Sequence, residues 1–163
     1  MARSKAFLRT RDVDWAVKIG KNYIHAASAG GDLPGIVDEH LFEIWRELKN
    51  SQQVCEEEDV IINQKYIEEK KAELRELSEE ERELRIQWYT CSFKQMACRG
   101  FYSFDRDIRT PFDDSKYRLV ARPGRMWVRP EYNLPAIDIE SDPEELDGMD
   151  IVRWIDEKTK REE

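Results

Sequence analysis

The sequence predicts an α+β fold that is mainly α: a bundle of four or five helices with a small C-terminal β-hairpin. Three observations lead there. Apolar residues recur at the 3.6-residue helical period through most of 12–99. Residues 64–77 are rich in Lys, Glu, Ala, Leu and Arg, all good helix formers. Pro123-Gly124, a turn signal, separates two short runs in which apolar and charged residues alternate. The expected organisation is one domain over 1–163, with a helical part at 12–99, an aromatic and basic loop-and-hairpin part at 100–139, and a C-terminal helix at 143–160.

Taken in order, residues 12–29 read as the first helix, with Val13, Ala16, Val17, Gly20, Tyr23, Ile24 and Ala27 on one stripe, Asp12 as N-cap and Gly30-Gly31 as its end. Asp32-Leu33-Pro34-Gly35 is a turn. A second helix spans about 34–50, with Val37, Leu41, Ile44, Trp45 and Leu48 as its apolar face. The short connection implies an antiparallel helix pair. The acidic run Cys55 to Asp59 reads as a loop, and Val60-Ile61-Ile62 as a short extended piece. Asn63 is an N-cap for a helix over 64–77, marked by Ile67, Lys70, Leu74 and Leu77.

Ser78 and Glu81 form a capping-box pattern, which would start a new helix. The preferred reading is nevertheless one continuous or kinked helix over about 64–98. Its second half carries two apolar stripes: Ile86, Tyr89, Phe93, Met96 and Ala97 on one, Leu84, Trp88, Cys91 and Cys98 on the other. A helix apolar on two faces is either central or covered by a partner. Gly100 closes it. Phe101 to Pro111 follow as loop or short strand. Tyr117–Val120 and Arg125–Arg129 are expected to pair as a hairpin with one basic face. Ile137-Asp138-Ile139 is a possible extra strand, and Ser141 to Glu145 open the last helix.

The chain is acidic, with a net charge of −8, yet Arg85 to Tyr132 hold ten Lys/Arg against five Asp/Glu. The same 48 residues contain ten of the seventeen aromatics. Two readings of that segregation compete: the arginines pair with the chain's own Asp/Glu excess while the aromatics fill the core, or the segment is a docking surface. Guanidinium groups beside aromatic rings suit an acidic protein surface, because Arg, Trp and Tyr are enriched at interface centres. They also suit single-stranded nucleic acid, through phosphate contact and base stacking. The candidate partner-binding residues are Phe101, Tyr102, Arg106, Arg109, Arg118, Arg122, Arg125, Trp127, Arg129 and Tyr132.

Catalytic, cofactor and metal chemistry have weaker support. His25 and His40 are the only histidines, and no Cys/His spacing completes a zinc set. Cys55, Cys91 and Cys98 read as free thiols; Cys91 and Cys98 would lie about 10 Å apart along a helix, too far for a disulfide. Asp105, Asp107, Asp113 and Asp114 offer carboxylates for a metal-dependent hydrolase, but Arg106 and Arg109 alternate with the first pair. No phosphate-binding loop, dinucleotide fingerprint or nucleophile elbow occurs. The apolar runs are far shorter than the ~20 residues a membrane span needs, and the basic N-terminus lacks the apolar core of a secretory signal. The expectation is a noncatalytic, cytoplasmic protein-binding adaptor, assembly or regulatory protein, without cofactor or metal, whose partner is another protein or a second copy of itself. Nucleic-acid binding through the same hairpin is the alternative, and a metal-dependent hydrolase the second.

Overall fold

Residues 12–29, expected as a helix, instead form a β-hairpin in the computed structural model, which describes residues 12–107 and 116–160. Strands β1 (Asp14–Ile19) and β2 (Asn22–Ala27) pair antiparallel, with Trp15 opposite Ala26 and Val17 opposite Ile24. Gly20, at φ +59°, takes the first position of the two-residue turn, where a left-handed conformation matches the twist of the strands. The helical reading failed for a physical reason. Both faces of this hairpin are covered, so Trp15, Ala16 and Val17 are all buried. A strand buried on both faces loses its alternation and mimics a helical stripe.

The helical bundle is thereby corrected to a six-stranded mixed sheet with helices on both faces. The remaining strands are β3 (Ile61–Ile62), β4 (Phe101–Arg106), β5 (Tyr117–Arg122) and β6 (Ala136–Ile137). Their order is β3-β5-β4-β2-β1-β6. β4 joins β2 in parallel, while β5 is antiparallel to both β4 and β3. β6 lies parallel to β1. Both edges are strands of two residues, too short to template further pairing.

Five α-helices lie among the described residues: α1 (Gly35–Glu39), α2 (Leu41–Asn50), α3 (Gln64–Glu73), α4 (Glu79–Cys98) and α5 (Ile151–Thr159). The second predicted helix is real but breaks at His40. Its Val37, Leu41, Ile44 and Leu48 join Trp15, Val17, Ile24, Phe104, Ile151 and Ile155 in the main core. On the opposite face α4 and α3 bury Phe93, Ala97 and Tyr66 against Ala27, Val120 and Ala121. The expected antiparallel pair of the first two helices does not exist.

Residues 64–98 are two helices, not one. Asn63 caps α3 by accepting from the Tyr66 amide, and Ser78 caps α4 by accepting from the Glu81 amide at 3.2 Å. The capping signal prevailed over the continuity of good helix formers because a cap satisfies an amide that helix propensity alone leaves unpaired. One α4 stripe is buried through Ile86, Phe93 and Ala97; Leu84 and Trp88, from the other, are exposed.

The predicted hairpin of 117–120 with 125–129 is overturned as well. Tyr117–Arg122 is a central strand bonded to β4 and β3, and Arg125–Arg129 form a loop. Pro123-Gly124 turns the chain away from the sheet, where Met126 bridges to Cys55. The C-terminal helix is likewise split into a 3-10 turn, Pro143–Leu146, and α5, with Gly148 at φ +83° between them. No helix among the described residues is long and apolar enough to cross a membrane.

Candidate functional site

Strand β5 gathers two of the predicted arginines, and the fold uses both internally. Arg118 is buried, pairing with Glu69 at 2.7 Å and Asp147 at 2.8 Å, with its guanidinium carbon 4.5 Å from the Tyr66 ring centre. Arg122 pairs with Glu144. On β4, Arg106 donates to the carbonyls of Ser28 (2.8 Å) and Ala29 (2.6 Å), tying off the end of the first hairpin. Phe101 is fully buried and stacks on Tyr132 with ring centres 5.0 Å apart. The Tyr132 hydroxyl donates to the Arg99 carbonyl at 2.6 Å. Tyr102 is half-buried, and burial raises its phenol. Arg109 lies outside the described residues.

Three candidates remain at the surface: Arg125, Trp127 and Arg129. They belong to one loop with two exposed apolar neighbours, Met126 and Val128. The loop is held from below by backbone. The Trp127 amide donates to the Val54 carbonyl at 3.0 Å. Gly124 presses so closely on the Asp59 carbonyl that a Cβ there would sit 2.0 Å from its oxygen. Trp127 is 57% exposed. Among the described residues neither Arg125 nor Arg129 makes an ion pair. The loop is therefore an anchored platform with its indole and two cations turned outward.

Beneath α3 and α4 lies a polar layer that sequence reasoning did not assemble. The Tyr89 hydroxyl donates to Asp105 at 2.5 Å, and Tyr66 reaches Tyr89 at 3.4 Å. The Lys70 ammonium sits 4.5 Å from the Tyr89 ring centre. Burial pushes the Asp105 carboxyl up to about 6, against the opposing pull of Tyr89 and Lys70. Burial also raises the Tyr89 phenol, which stays neutral.

One strand over, His25 bonds Ser103 through Nδ1 at 2.7 Å and Asp14 through Nε2 at 2.9 Å. This is the connectivity of a nucleophilic triad. Ser103, however, is fully buried and His25 lies against Phe93, so no substrate carbonyl can reach the hydroxyl. The chain of bonds instead satisfies a buried histidine and joins β1, β2 and β4. Nothing in the local sequence announces it, because residues 14, 25 and 103 meet only through strand pairing. The thiols of Cys55 and Cys98 are both raised by burial, which disfavours the reactive thiolate.

No protein-family model matches the chain, and no curated protein or solved structure matches it.

Proposed function

We propose that this chain is a noncatalytic protein-binding component, an adaptor or assembly protein, that docks an acidic and partly apolar protein surface on the Arg125–Arg129 loop. One observation carries the reading. Of the predicted basic and aromatic residues within the described part, only this loop combines exposed cations free of internal ion pairs with an exposed indole. Arg106, Arg118 and Arg122 are occupied in holding the fold. Two cations around three apolar side chains suit a protein interface better than a phosphate backbone, which rewards many dispersed positive charges. The acidic remainder of the molecule makes a second copy an eligible partner.

The test is quantitative affinity capture from native lysate, with and without nuclease, using the wild-type chain, Trp127→Ala and the double variant Arg125→Glu/Arg129→Glu. A stoichiometric protein or a second copy is expected to be retained by the wild type. Truncating a central Trp should weaken capture about 30-fold or more, and the double variant should release the partner while its thermal unfolding stays unchanged. Undiminished capture by both variants would refute the surface. Nuclease-sensitive retention with a steep salt dependence would instead assign the loop to nucleic acid.

A further inference from the structure

Helices α3 and α4 line a groove of about 410 Å³ between them. That volume lies in the range of small-molecule sites. Its lining is regular. From α3 come Lys70, Glu73 and Leu74; from α4 come Arg85, Ile86, Trp88 and Tyr89. Lys70/Glu73/Leu74 and Arg85/Trp88/Tyr89 each follow the i, i+3, i+4 spacing that places three side chains on one helix face. Leu74, Ile86 and the Tyr89 ring make the groove apolar. Trp88, on its rim, is 84% exposed, the most exposed large apolar side chain among the described residues.

The charges select the occupant. Among the described residues neither Lys70 nor Arg85 makes an ion pair, and both face the groove. Lys70 is held over the Tyr89 and Tyr66 rings, with its ammonium 4.5 and 5.5 Å from their centres. Arg85, one turn from Tyr89 on α4, supplies a planar fork that matches a carboxylate. The Tyr89 hydroxyl is committed to Asp105, so that residue offers its ring rather than a donor.

We infer that the α3–α4 groove binds a small, flat aromatic anion, with the ring on Trp88 between Leu74 and Ile86 and the anionic group between Lys70 and Arg85. This site is separate from the Arg125–Arg129 loop and does not depend on that reading.

Sodium 2-naphthoate is the probe, followed by calorimetry and by amide chemical shifts of the full chain. One-to-one binding is expected, with shifts centred on residues 70–74 and 85–89. Arg85→Gln and Lys70→Gln should each weaken it about fivefold. Trp88→Ala should weaken it about tenfold, and Trp88→Phe, which keeps a ring, much less. The neutral 2-naphthamide should bind more weakly and 2-naphthylmethylammonium more weakly still. Arg85 and Trp88 are exposed, so their replacement leaves the core intact, as thermal unfolding would verify. The inference is overturned by absence of saturable binding at about 10 mM probe, by preference for the cation, by shifts centred elsewhere, or by affinity indifferent to Trp88→Ala. A concentration-dependent dimer that protects Trp88 from quenching would overturn it too, since the groove would then be an interface.

Discussion

Asp105 concentrates several forces on one side chain. It projects from β4 toward α4 and α3, accepts the Tyr89 proton donor at 2.5 Å, and feels Lys70 as an attractive charge and Asp12 as a repulsive one. Burial outweighs the attraction and lifts its carboxyl from an ordinary 3.8 to about 6. A carboxyl raised on folding binds its proton more tightly in the native state. Its contribution to stability is therefore fully present below about pH 4 and is lost as pH rises through about 6. The size of that loss is at most about 3 kcal/mol. Asp105→Asn, which still accepts from Tyr89, should remove this component, so the stability difference between pH 4.5 and pH 7.5 should shrink in urea titrations. An identical pH profile in the variant would show that Asp105 does not titrate in this window.

Among the elements, the junction of β5 with the 125–129 loop links fold to proposed function. Gly124 lets the chain pass against the Asp59 carbonyl, next to β3. An added methyl meets backbone there, which cannot rotate aside as a side chain can. Gly124→Ala should cost about 1–3 kcal/mol and lower partner affinity, although residue 124 carries no side chain to offer a partner. Unfolding curves and capture assays on the same variant would check both effects; unchanged stability would mean that the 57–62 segment yields freely. The α3–α4 break has the same local logic. Ser78 stops one helix and starts the next, and only because of that break do two helix faces open a groove. The Lys71–Glu83 pair, at 2.9 Å, spans it on the surface.

For the whole molecule, Arg118 is the central tie. It joins β5 to α3 through Glu69 and to the segment before α5 through Asp147, whose carboxylate also accepts from the Leu119 amide and Asn63. Removing one member of a buried ionic cluster strands the others. Arg118→Met should therefore destabilise the protein by about 3 kcal/mol, and adding Glu69→Gln should recover part of that loss. A double variant no more stable than the single one would show that Glu69 is solvated once freed. The same pairing explains why the basic segment is less basic than it reads: Arg118 and Arg122 are already answered by acidic residues elsewhere in the chain.

What the sequence determined by itself was local. The α2 stripe, the Asn63 cap, the extended Ile61-Ile62 and the glycine stop at Gly100 all depend on residues within a turn or two of one another, and the Ser78 capping pattern does too, although the run of helix formers around it favoured an unbroken helix. The tertiary structure decided the rest. Residues 14–27 became a hairpin because neighbours covered both of its faces, and 117–122 became a central strand because β3 and β4 flank it. Of ten candidate site residues, Arg125, Trp127 and Arg129 were left exposed on one loop, while Arg106, Arg118 and Arg122 found partners far away in the chain. The Asp14–His25–Ser103 and Tyr66–Tyr89–Asp105 chains were illegible for the same reason. Periodicity and capping report interactions between near neighbours, whereas pairing of distant strands and neutralisation of distant charges exist only once the chain has closed on itself.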